Sequence, residues 1–340
     1  MIRIFLPTLF IIISVLITHA EKTNYLYSFN SDLNEGISQL SVMDIYQDSK
    51  GYLWFATKNG LNRFNGKEYV IYRREDGNDQ SLSGNSITSI TEDREGYLWV
   101  ATNKGLNRID LNTDQIKRYT STTDGLTQGG VTKVYTDAAG DLWVEIRGSL
   151  NRYNREEDRF EQILLDDEFK GTTLSTIFED SSGRYWIGTR EKGVYLCDHN
   201  MNVISHFTRE SKNMSLNNND ITCIYEDVYK QIWIGSKYGL NKIDLLNNDV
   251  LSFTSENSGL SNNSVRCLIE WQGKLLVGTF DGIFSVELKS GQVVKVSGYD
   301  DVNHSLSHYS VYAFYVDRDH TLWVGTFAGG INYLNKFTNR

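Results

Sequence analysis

SLSGNSITSITEDREGYLWVATNKGLNRIDLNTDQIKRYT, residues 81–120, reads as four short strands separated by tight turns. SITSITED gives way at Arg94-Glu95-Gly96 to YLWVAT, which turns at Asn103-Lys104-Gly105 into LNRID and then, through a further turn, into QIKRYT. The strand segments are rich in β-branched and aromatic residues, and each turn holds Gly, Asn or Asp where the backbone must reverse. A four-stranded antiparallel sheet with apolar residues on both faces cannot be stable alone and needs copies of itself to pack against.

Those copies fill the chain. Aligned on the aromatic of YLWVAT, the anchors are Trp54, Trp99, Trp143, Trp186, Trp233, Leu276 and Trp323, spaced 43 to 47 residues apart. The same words recur around each: DSKGYLWFATKNGLNRF, DAAGDLWVEIRGSLNRY, DSSGRYWIGTREKGVYL, DVYKQIWIGSKYGLNKI, GKLLVGTFDGIFSV and DRDHTLWVGTFAGGINYL. This period with four strands per repeat predicts an all-β, seven-bladed β-propeller with four antiparallel strands per blade.

Six repeats carry an outer strand, around 70–72, 116–119, 160–163, 203–207, 250–253 and 293–296. The seventh stops at NYLNKFTNR, after its third strand, while YLYSF (Tyr25 to Phe29) precedes the first repeat. The expectation is that strand 25–29 pairs with the strand around Ile331 to Leu334 and closes the ring, removing an open sheet edge. Asp48, Asp93, Asp137, Asp180, Asp227 and Asp317 open the turn between first and second strands, where a carboxylate can accept hydrogen bonds from the turn's own amides. Gly51, Gly96, Gly140 and Gly183 supply positive φ in that turn, with Lys230 and His320 in their place in repeats five and seven. One acid per blade is a scaffold pattern, not a catalytic or calcium cluster.

The 340 residues carry a net charge of −9, with no Lys/Arg block and a single Pro, Pro7. That balance excludes a nucleic-acid partner, which needs a basic field, and no linker divides the chain. MIRIFLPTLFIIISVLITHA at the start has the length and small-residue ending of an export signal, with an uncleaved anchor as the alternative. The expected organisation is therefore a leader over 1–20 and one propeller over 21–340, placed outside the cytoplasm in the periplasm, with no span beyond the leader. Cys197, Cys223 and Cys267 make an odd count and read as small buried hydrophobes. His304 and His308 have a chelating spacing but no supporting ligands, so neither metal nor cofactor is expected.

In a propeller, the turn from second to third strand and the loop between blades share the face around the channel mouth. The residue beginning that turn is, in order, Lys58, Asn103, Arg147, Arg190, Lys237, Phe280 and Phe327. Four cations at one structural position in an acidic chain would attract an anion, and Arg binds carboxylate or sulfate through paired hydrogen bonds. Phe280 and Phe327 could stack on a sugar face. The expected ligand is an acidic or sulfated oligosaccharide, or another small anion. Neither a Ser nucleophile elbow nor a carboxylate pair outside the repeat is present, so no enzyme is expected.

SLSGNSITSITEDREGYLWVATNKGLNRID resembles the two-component regulator propeller repeat, and the resemblance runs over residues 24 to 335. It implies the extracytoplasmic input module of bacterial sensors, followed by a β-sandwich, a membrane helix and a histidine kinase or diguanylate cyclase. It also implies glycan regulation, a sensor kinase or cyclase module as partner, and often a second propeller copy. Those output parts are missing here, which suggests a detached or truncated input module. The alternatives are a protein-interaction scaffold without a small ligand and, third, a polysaccharide-acting enzyme.

Overall fold

The computed structural model describes residues 29–163, 169, 172–297 and 306–334. Seven sheets are arranged as blades, and six of them have four antiparallel strands in chain order from the channel outward. Their innermost strands are Val42–Gln47, Ile87–Glu92, Lys133–Thr136, Leu174–Glu179, Ile221–Glu226, Val265–Trp271 and Val311–Val316. Each touches the innermost strand of the next blade, and the seventh touches the first, so the ring is closed. The described residues contain almost no helix; one 3-10 turn spans Asp32–Asn34.

The second strand of each blade is the reason the blades stack. Leu53–Thr57, Leu142–Ile146, Tyr185–Thr189, Ile232–Ser236 and Leu322–Thr326 are buried at every position. A central strand covered on both faces reads as a continuous apolar run, and these do. The core accordingly lies in the seams between blades. In one seam Trp99, Leu106 and Tyr119 of blade two meet Leu126, Val134, Leu142 and Val144 of blade three. In another, Val42, Phe55 and Phe64 of blade one meet Ala313, Trp323 and Ile331 of blade seven.

The last sheet has three described strands, Val311–Val316, Leu322–Thr326 and Ile331–Leu334. Of the expected closing strand, Tyr25 to Ser28 lie outside the described residues. Beyond them, Asn30 and Tyr333 exchange two backbone hydrogen bonds of 3.0 Å, and Phe29 packs into the seam of blades six and seven. Asn34 adds a side-chain bracket: Oδ1 accepts from Ile331 N (2.7 Å), and Nδ2 donates to Gly329 O and Ile331 O (3.2 Å each). The chain before blade one therefore occupies the edge that blade seven would otherwise leave open.

The six turn acids are buried. In each, Oδ2 accepts the indole N–H of the Trp six residues on, at 2.7 to 2.9 Å. In five of them Oδ1 accepts two turn amides, as Asp93 does from Glu95 N (3.0 Å) and Tyr97 N (3.1 Å). A second acid, invisible as a motif, ties blade to blade. Ser49 N donates to Glu92 (2.6 Å), Ala138 N to Glu179 (2.7 Å), Ser181 N to Glu226 (2.8 Å) and Val228 N to Glu270 (3.1 Å). Across the ring junction Arg318 N donates to Gln47 Oε1 (3.0 Å), and its guanidinium to Asp48 O (2.7 Å).

Lys230 and His320, standing where four repeats have Gly, are held at φ 64° and 61°. A side chain in that left-handed region clashes with its own carbonyl, costing roughly 1 kcal/mol that Gly avoids. Lys230→Gly and His320→Gly are each expected to raise the melting temperature by about 2 °C, read by calorimetry; a fall in both would contradict the strain argument.

No disulfide joins Cys197, Cys223 or Cys267. A Cβ added to Gly235 would lie 2.5 Å from Cys223 Sγ, so the thiol fills the space the glycine leaves. Burial pushes the Cys223 thiol up to about 12 and that of Cys267 well above its ordinary value. Neither forms the thiolate that reactivity requires.

Candidate site at the channel mouth

The turn between second and third strands is built the same way in most blades. The last residue of the second strand, Thr57, Thr102, Thr189, Ser236, Thr279 or Thr326, is buried and donates its hydroxyl back to a turn carbonyl at 2.7 to 3.0 Å. Closing the turn from inside projects the next side chain into solvent. On the third strand a buried Asn then fastens the loop arriving from the previous blade. Asn62 accepts from Ser38 N (2.8 Å), Asn107 from Ser83 N (2.8 Å), Asn241 from Asn217 N (3.0 Å) and Asn332 from Ser307 N (2.8 Å).

Lys58, Asn103, Arg147, Arg190, Lys237, Phe280 and Phe327 are all exposed. They lie beside the inter-blade loops: Asn103 N donates to Ser86 O, Arg190 N to Thr173 O, Lys237 N to Asp220 O and Phe327 N to Ser310 O. The turn and the loop therefore share one face, as the topology requires.

The cations are not equivalent. Asp220 sits between Arg190 (3.6 Å) and Lys237 (2.5 Å) and neutralises part of that arc. Lys58 Nζ lies 4.9 Å above the Phe327 ring, in cation–π contact across the junction of blades seven and one. Arg147, at φ 50°, has no acid within ion-pair distance among the described residues. Beneath it Glu145 is buried, with Oε1 accepting from Gly148 N at 2.7 Å; burial raises its carboxyl above the usual range.

The two aromatic rim residues draw in others that their spacing does not announce. Arg266 is 4.4 Å from the Tyr312 ring centre and 5.1 Å from that of Phe280, and its Nη1 donates to Ser310 Oγ at 2.9 Å. Tyr309 is 5.7 Å from Phe280 and is stacked 4.3 Å from His308, which in turn meets the edge of Phe327 at 5.7 Å. Of the pair His304 and His308, the first lies outside the described residues. Nδ1 of the second accepts the Ser310 amide at 3.1 Å, and burial next to Arg266 lowers its pKa, so the ring is neutral at pH 7 with Nε2 as the donor. Among the described residues no three His, Cys, Asp or Glu converge as metal ligands, and no helix is long and apolar enough to cross a membrane.

A family model described as the two component regulator propeller matches residues 36–59, 81–104, 168–191, 215–238 and 305–328. Each matched segment runs from the arriving loop, through first and second strands, to the rim turn. The chain belongs to the two-component regulator propeller family. Unmatched are blade six, where Leu276 replaces the Trp, and blade three, which holds Glu145 where the other blades have Ala or Gly.

A curated relative of the propeller is histidine kinase P4 of Formosa agariphila, 38% identical over 63 residues, or 18% of this chain and 4% of that protein. Among solved structures, the extracellular domain described for the hybrid two-component system BT3049 of B. thetaiotaomicron superposes with a TM-score of 0.77 at 26% identity, over 91% of this chain and 42% of that one. Virginiamycin B lyase of Staphylococcus aureus, in a catalytically inactive form with quinupristin, superposes at 0.70 and 14% identity over 91% and 99%, a likeness of fold alone. The propeller thus spans less than half of the ectodomain it resembles and a small fraction of the kinase. Its kinship is to sensory ectodomains, and no catalytic domain is evident within it.

Proposed function

We propose that this propeller is the ligand-sensing input of a bacterial two-component-type system, exported to the periplasm by its leader, with an acidic or sulfated oligosaccharide bound at the channel mouth. Occupancy would be passed to a kinase or cyclase module, directly or through a second propeller. The observation that carries this reading is the row of exposed side chains at one structural position on one face, four cations and two aromatics in a chain of charge −9. Arg147 and Arg190 are the residues placed to meet an anion there. Isothermal titration with acidic oligosaccharides tests it. Arg147→Ala and Arg190→Ala are each expected to weaken binding about 10- to 100-fold, the worth of a charge-assisted contact; unchanged affinity in both removes the anion reading.

A second reading, as a scaffold for a partner protein, has its own observation. Val228, Tyr229 and Leu246 project from blade-five turns on the opposite face, Leu246 at 93% exposure. Thermal shift against a glycan library separates the two, since a scaffold shows no stabilisation by glycans.

A further inference from the structure

The second position of the innermost strand is partly or fully exposed in every blade. It is Met43, Thr88, Thr132, Ser175 and Thr222 in blades one to five. The hydroxyls of Thr88 and Thr222 are used up on the next blade's backbone, at Val131 O and Val265 O, 2.8 Å each. Blades six and seven break this pattern with Arg266 and Tyr312, two large side chains where blades two to five keep Thr or Ser.

Arg266 is held in place before any ligand arrives. The Phe280 and Tyr312 rings flank its guanidinium and Ser310 Oγ takes one of its five N–H groups. No carboxylate lies within ion-pair distance of it among the described residues. That contrasts with Arg190 and Lys237, which share Asp220. A partly buried cation with no counter-ion among the described residues is open to an anion. Around it Phe280 and Phe327 are exposed at 44% and 39%, and Lys58 lies over the Phe327 ring.

We propose that the arc of blades six, seven and one forms a distinct pocket for a carboxylated sugar ring, with the carboxylate on Arg266 and the ring's C–H face on Phe280 or Phe327. The planar fork of arginine fits two carboxylate oxygens at once. The weakly positive C–H face of a pyranose complements the negative face of an aromatic ring. This rests on the sensing reading and deepens it, adding a carboxylate-specific subsite at Arg266 to the anion contacts of the Arg147–Arg190 arc.

The test is titration of the full chain with a galacturonate trimer, its methyl ester and a neutral galactose trimer. The acid trimer is expected to bind and both neutral probes to bind at least tenfold more weakly. Arg266→Gln and Arg266→Lys should each weaken acid binding about tenfold or more, the lysine because a point charge cannot engage both oxygens. Phe327→Ala, on an exposed side chain whose loss leaves the fold intact, should cost about tenfold. Wild-type affinity in both Arg266→Lys and Phe327→Ala, equal binding of acid and methyl ester, or no binding of the acid trimer overturns the proposal. Loss confined to Arg147→Ala and Arg190→Ala overturns it while leaving the rim reading intact; indifference of all the variants removes both.

Discussion

Deleting residues 24–34 is expected to lower the melting temperature of the whole propeller by about 10 °C or more, corresponding to several kcal/mol. The reason is that the segment is joined to the far end of the chain. Without it, Tyr333 loses both ladder partners at Asn30 and its hydroxyl loses Asp32 Oδ1 (2.9 Å). The buried Ile331 amide loses Asn34 Oδ1, and Tyr69 loses the Leu33 carbonyl (2.7 Å). Donors left buried without acceptors cost about 1–3 kcal/mol each, more than the hydrogen bonds contributed when made. Asn34→Ala alone, which strips three of these contacts without shortening the chain, should cost about 2–3 kcal/mol by chemical denaturation. Both variants should shift one cooperative transition, because blade seven packs on blades one and six through continuous seams. A deletion variant melting within a degree or two of the intact chain would show that the ring is not fastened there.

Blade number and closure could be read from the sequence because they rest on repetition. Trp54 and its counterparts return at a nearly constant interval, and the shortfall of one outer strand points to the other terminus. The individual turn acids were legible for the same reason. The blade-to-blade tie was not. Glu92, Glu179, Glu226 and Glu270 close their first strands like any solvent-facing acid, and only the ring's curvature brings each to the preceding turn's amide.

The site divides along the same line. The seven rim positions followed from topology, since the residue after a closed turn must project. Their charge environment did not, because Asp220 is a local exception in a repeated loop that has Ser at 41, 86, 264 and 310. Arg266 carried a signal that alignment could have exposed: one cation in a column otherwise of Thr, Ser, Met and Tyr. Reading columns for their exception, as well as for their rule, would have found it.

The second large effect concerns that rule. Asp93→Ala is expected to destabilise the propeller by about 3–5 kcal/mol, and Asp93→Asn by about 2 kcal/mol. Alanine leaves the buried Trp99 indole N–H and the Glu95 and Tyr97 amides without their acceptor. Asparagine keeps one oxygen but sets a donor against another donor. Blade six shows how the cost is avoided: it lacks the acid and the indole together, with Leu276 at the anchor and Trp271 reaching instead to His320 O at 3.1 Å. Removing both partners should therefore cost less than removing each alone. In a cycle with Trp99→Leu, the double variant is expected to be about 1–3 kcal/mol more stable than the two single losses add up to. Strict additivity would mean the bracket contributes no coupling and that Trp99 is held only by its packing on Tyr119, Tyr153 and Phe160. An acid that instead served a ligand would lower affinity when replaced and leave the melting temperature in place, so the same variants separate scaffold from site.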